Sequence, residues 1–214
     1  MNRPEYSPAQ NFAMNFISNV GCASVYQMAY ILHRRYGATL KETLWCLRDF
    51  EGEGICHFDK DEKVVVAGKS FKDENPMHKL ERNTLMALAV AINTIEDPSD
   101  YGTIYVPHYG ENLRFMNGDD IYGVLVSKED STSNILYYQG IYTDKLKTAK
   151  NKKQDMEMFE NSYSKLLITY PLGADKKAAF QTVESLDLEM PHAIVFLGGK
   201  SIYEEIKIQK IDAK

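Results

Sequence analysis

Leu85 to Ile92 is an unbroken apolar run, Leu-Met-Ala-Leu-Ala-Val-Ala-Ile, inside a longer helical pattern. Asn75-Pro76 gives that pattern a cap-plus-proline start, and Asp97-Pro98 stops it near Ile95. Apolar side chains on nearly every side leave no face for water, so this helix belongs at the centre of a fold and the rest of the chain must wrap it. The run is far shorter than the roughly 20 residues that span a bilayer, which makes it a core helix. A chain of 214 residues that is 44% hydrophobic can build such a core without disulfides or metals.

The period of the apolar pattern divides what surrounds that helix. Ser7-Pro8 reads as an N-cap with proline at the first helical position, and Phe12, Met14, Phe16 and Ile17 follow on an amphipathic stretch that Gly21 ends. From Cys22 to Tyr36 the residues Val25, Met28, Ile31 and Leu32 recur at helical spacing, and Gly37 closes the run. Thr39-Leu40-Lys41-Glu42 fits a capping box for a third helix carrying Leu44, Trp45, Leu47 and Phe50. The spacing then becomes extended. Gly54 to Phe58 and Lys63 to Gly68 flank the polar turn Asp59-Lys60-Asp61-Glu62, a β-hairpin pattern.

Beyond the central helix, strands are expected over Thr103–Pro107, Asn112–Phe115, Ile121–Val126, Ile135–Tyr142 and Leu166–Tyr170, with Asn117-Gly118 as a hairpin turn. Lys150 to Ser164 reads as a polar helix or surface loop, and Asp175 to Ser185 as a short helix. His192 to Leu197, the turn Gly198-Gly199-Lys200-Ser201 and Ile202 to Ile211 form a closing hairpin. The expected class is α+β: a helical N-terminal third, with its hairpin over residues 1–70, packed on a mostly antiparallel sheet over 71–214 as one compact unit.

Composition narrows the function classes. The net charge of −5 supplies no global positive field for nucleic acid or an anionic membrane. Met1 to Tyr6 lacks the apolar stretch of a secretory signal. Cys22, Cys46 and Cys56 are an odd number at spacings unlike a disulfide framework, and read as reduced thiols of a cytoplasmic protein. The partner these features favour is another protein. Nucleic acid is not favoured, and no membrane or cofactor is implied.

The sharpest catalytic candidates are Cys22 and His192. A cysteine at a helix N-terminus feels partial positive charge that favours the thiolate. His192 opens a strand from which an imidazole can act as general base, and Glu204 on the neighbouring strand can orient it. Gly21-Cys22-Ala23-Ser24-Val25-Tyr26-Gln27-Met28 resembles the nucleophile helix of the NlpC/P60 branch of papain-like cysteine hydrolases. The segment from Pro191 to Ile202 resembles that family's histidine hairpin, in the family's chain order. The resemblance implies Cys22 as nucleophile, His192 as base and Glu204 as the third polar residue, in hydrolysis or transfer at an amide.

A second reading takes the helix from Cys22, the helix from Leu40 to Glu51 and the hairpin from Gly54 to Gly68 as a winged helix, with Thr43 to Glu51 resembling a recognition helix that runs into a wing. Arg34, Arg35, Lys41 and Arg48 are its candidate phosphate contacts. Glu42, Asp49, Glu51 and Glu53 lie among them and cancel the field, which favours a protein partner over DNA. The chain is then a non-catalytic interaction or regulatory protein, or a structural subunit of an assembly.

The remaining motifs have plain structural readings. Cys46, Cys56, His33, His57 and His78 are soft ligands, but they lack zinc spacing. Gly198-Gly199-Lys200-Ser201 lacks the first glycine of a phosphate loop and reads as a turn. Lys145, Lys147, Lys150, Lys152 and Lys153 form a solvated basic run able to meet an acidic partner. Asp119-Asp120 falls in a turn, and His108-Tyr109-Gly110 in a loop with no assigned mechanism.

Overall fold

The structure is a computed structural model that describes residues 5–59, 61–68, 79–107, 110–128, 131–150, 165–198 and 207–212. The protein is α+β, with two sheets on either side of the central helix. Helix α1 (Pro8–Val20) starts at Ser7, whose hydroxyl accepts from the Gln10 backbone while the Gln10 side chain accepts from the Ser7 backbone. That reciprocal cap satisfies two donors that the helix itself cannot. Strand β1 (Cys22–Ser24) follows Gly21, and α2 (Val25–Tyr36) follows directly. Gly37 takes the left-handed conformation (φ 71°) that ends α2, and three residues later α3 (Leu40–Gly52) opens at the expected Thr39–Glu42 capping box. Strands β2 (Cys56–Phe58) and β3 (Val64–Ala67) complete this part as the expected hairpin.

β1 corrects one expectation. Cys22 does not open a helix. It pairs with Val66 of β3, and the small sheet runs β1-β3-β2, antiparallel throughout. The N-cap of α2 is Ser24, with Gln27 closing its capping box.

The central helix α4 (Lys79–Thr94) lies where the sequence places it, and Leu85 to Ile92 are all buried. Its expected start at Asn75-Pro76 lies outside the described residues. A 3₁₀ turn (Pro98–Thr103) replaces the first part of the strand expected over Thr103–Pro107, and Tyr105 makes only an isolated bridge to Arg114. Strands β4 (Leu113–Asn117) and β5 (Asp120–Val126) are joined through Asn117-Gly118 as expected.

The stretch Ile135–Tyr142, expected as a strand, is instead part of helix α5 (Ser133–Ala149). Its β-branched and aromatic residues favour strands in isolation, but packing decides. Ile135 and Tyr138, three apart, turn inward together. Strand β6 (Lys165–Tyr170), helix α6 (Lys176–Glu184), β7 (His192–Gly198) and β8 (Lys207–Asp212) follow. The large sheet runs β4-β5-β6-β7-β8, with β5-β6 and β6-β7 parallel. Among the described residues antiparallel pairs outnumber parallel ones four to two, yet the centre of the larger sheet is parallel, joined by helical crossovers rather than by a meander.

Alternation along β7 shows how the layers are made. Ala193, Val195 and Leu197 face the cluster that contains α1, α2 and α4, whereas Ile194 and Phe196 face the cluster that contains α5 and α6. One continuous core thus joins the helix-rich N-terminal part to one face of the large sheet, and α5 and α6 close the other face.

Candidate functional site

Cys22 and His192 are not brought together. Cys22 is 2% exposed, in the core cluster on the α4 side of the large sheet. His192 opens β7 as expected, but it has the parity of Ile194 and Phe196, so its ring belongs to the α5–α6 side. Its Nδ1 lies 2.9 Å from the Met190 carbonyl. Glu204 lies outside the described residues, and the connection that holds it leaves β7 from Gly198, at the other end of the strand from His192. A sealed thiol cannot reach a substrate, and a sheet separates it from the imidazole.

The other two thiols are held neutral. Burial, then Asp49 and Cys56, pushes Cys46 up to about 12, and burial, then Glu51, pushes Cys56 up to about 11. Among the described residues, no group of three or more His, Cys, Asp or Glu comes together to hold a metal ion. His78 lies outside the described residues. His33 Nδ1 lies 3.2 Å from the Ala38 carbonyl, and His57 Nδ1 lies 3.2 Å from that of Gly68. Gly199 to Ser201, Lys152, Lys153, His108 and Tyr109 also fall outside the described residues.

Among the described residues the order of the large sheet forms no ligand crevice of the usual α/β kind. Such crevices form at the carboxyl ends of strands where the strand order reverses. Here β5, β6 and β7 follow one another in one direction, and the described crossover helices α5 and α6 lie on one face. A shallow, open cleft does exist, lined among others by Arg114, Gly123, Tyr138, Tyr142 and Lys165, but it sits at the amino ends of β5 and β6. Arg114 of that lining pairs with the buried Glu111, a residue that composition and motif reading did not single out. Glu111 was legible only as an acidic residue between two glycine- and asparagine-containing turns.

The surface that stands out is α3. Helix α2, a three-residue turn containing Gly37, α3 and the β2–β3 hairpin are consecutive, and α3 buries Thr43, Cys46, Leu47 and Phe50 against the core. That face fixes the opposite one outward. Trp45, the only tryptophan, is 60% exposed, and Leu40 is 44% exposed on the same helix. The Lys41 ammonium lies 4.7 Å from the centre of the Trp45 ring. Arg48 bridges helix and hairpin: it pairs with Glu51 at 2.7 Å and with Glu62 at 2.5 Å, and stacks 4.2 Å from the centre of the Phe58 ring. The Arg48 partnership holds the Glu51 carboxyl below its ordinary range.

The cations proposed for phosphate contact are mostly committed elsewhere. Arg34 donates to the Glu96 carbonyl at 2.9 Å, and Arg35 donates to the Ser99 carbonyl at 2.6 Å and lies 4.7 Å from the Phe12 ring centre. Both tie α2 to the segment that follows α4. Over residues 40–68 the sequence carries four basic and seven acidic side chains, a net of −3. Among the described residues no helix is long and apolar enough to cross a membrane. No protein-family model, curated protein or solved structure matches this chain.

Proposed function

We propose that residues 8–67 form a winged-helix module that docks protein rather than DNA, and that the chain is a non-catalytic interaction or regulatory protein. The element order helix, strand, helix, helix, hairpin supports the winged-helix reading, with α3 in the recognition position and β2–β3 as the wing. One observation carries the choice of partner. The exposed centre of α3 is Trp45, while Arg34, Arg35 and Arg48 are already held by carbonyls and carboxylates of the chain itself. Phosphate binding gains its strength from cations that release counterions, and this face has a net negative charge. Aromatic anchors in a mixed polar surround are instead the signature of protein hot spots.

The three thiols, none of them in a disulfide, support a reducing, cytoplasmic setting. The hydrolase reading finds no support in a buried Cys22 and a His192 on the far face of the sheet.

The test uses a photo-crosslinking amino acid in place of Trp45, introduced in the cells that make the protein. A discrete protein adduct at position 45, absent when the same group replaces the exposed Tyr137 of α5, is the expected result. Duplex DNA that binds the purified chain at about 50 mM salt and is released at 200 mM, with the steep salt slope of phosphate contacts, would refute the protein-docking reading.

A further inference from the structure

We infer that the partner segment seated on the Trp45 face is basic: a stretch of protein rich in lysine and arginine. This rests on the docking role proposed for α3. The charge around Trp45 is uneven once internal pairs are removed. Arg48 is shared by two carboxylates, Glu51 and Glu62, which leaves that group net negative. Asp49, one turn beyond Trp45, and Asp61, beside Glu62 at the hairpin turn, form no salt bridge among the described residues. Glu42 accepts from the Thr39 backbone and hydroxyl, so it keeps its charge at the start of the helix, where its carboxyl lies below the ordinary range.

The other described cations of this region are Lys41, which lies over the Trp45 ring, and Lys63 at the hairpin turn, too few to offset its carboxylates. The Lys41 contact shows that an ammonium can stack on this exposed ring. A basic segment seated on Trp45 would have Asp49 one helical turn along and the carboxylates held by Arg48 beside it. An acidic segment would meet like charge there. Complementary charge of this kind sets partner choice and encounter rate.

Trp45 is the only tryptophan, so its emission reports this face alone. The probe is a synthetic peptide of about twenty residues alternating lysine or arginine with leucine and alanine, beside acidic and neutral peptides of equal length. A saturable blue shift with the basic peptide only, weakened about tenfold between 50 and 300 mM salt, is expected. The Asp49→Lys/Asp61→Lys variant should lose at least tenfold in affinity at an unchanged melting temperature. The control Glu184→Lys/Glu189→Lys, on and beyond α6, should bind like the parent chain. Equal loss in both variants, or no shift with the basic peptide, overturns the inference. A shift with the neutral peptide that Asp49→Lys/Asp61→Lys leaves intact overturns the basic class while leaving α3 a docking face. Photo-adducts that never form at position 45 remove the docking role itself.

Discussion

The side-chain amide of Gln27 donates to the Leu85 carbonyl at 2.8 Å across 58 residues of sequence, while its own oxygen accepts from the Ser24 backbone. One buried side chain therefore caps α2 and fastens it to the central helix. Replacing it by alanine removes a cap and leaves buried backbone groups without their partner. Gln27→Ala should cost about 2–3 kcal/mol. Urea unfolding measures this, and a loss below about 0.5 kcal/mol, the range of ordinary surface changes, would show the bond contributes little.

The Glu111–Arg114 pair gives a sharper contrast. The Glu111 carboxylate is 1% exposed, and both Nε and Nη2 of Arg114 reach its Oε1. This partnership outweighs the burial that would favour a neutral guanidine, and leaves the Arg114 pKa raised. Arg114→Met strands a buried carboxylate and should destabilise by about 3–5 kcal/mol. The double replacement Glu111→Leu/Arg114→Met should recover most of that loss. Denaturant midpoints of the single and double variants decide it.

Cys46 and Cys56 should resist alkylation in the native protein at pH 8 and react only in denaturant. Their folded pKa values, about 12 and about 11, lie above the roughly 8.5 of an unfolded thiol. The neutral thiol is the form the fold favours. The stabilisation is thus fully present below about pH 8.5 and is lost as pH rises through 11 and 12. Cys46→Ala/Cys56→Ala should flatten the alkaline limb of a stability-versus-pH curve; an unchanged limb would assign it to other groups.

Two glycines should separate strain from crowding. Gly37 has φ 71° and open space where a Cβ would stand, so Gly37→Ala should cost about 1 kcal/mol from backbone strain alone. Gly110 has φ 96°, and a Cβ there would lie 3.2 Å from the Tyr138 ring. Gly110→Ala therefore adds a clash to the strain and should cost about 2–3 kcal/mol. Thermal melts that rank the two variants the other way would contradict this packing.

The elements that the sequence made legible carry their signals locally. Ser7-Pro8, Thr39 with Glu42, and Asn117-Gly118 each fix a boundary through bonds a few residues long. The fully apolar Leu85–Ile92 shows in composition that α4 must be central. What stayed hidden depends on partners far along the chain. β1 is three residues held by β3, and only Ser24 with Gln27 marks where the helix truly begins. The parallel centre has a visible trace: Leu166 to Ile168 and Ala193 to Leu197 are apolar on successive residues, as strands covered on both faces are. In α5, strand-favouring residues masked the helical spacing of Ile135 and Tyr138. For the site, exposure of Trp45 is a property of packing. The pattern Leu44-Trp45-Leu47-Phe50 reads equally well as four core residues.

The core shared by α1, α2, α4 and the inner face of the large sheet has a practical cost for dissection of this protein. A fragment that ends near residue 70 would part β1 and α2 from α4, leaving apolar residues of the Leu85–Ile92 run bare on one piece and Ala23 and Met28 bare on the other. Each half would become sticky, and a binding defect in either would report clumping. Point changes on the outside of α3 keep the seam closed and are the cleaner genetic tool.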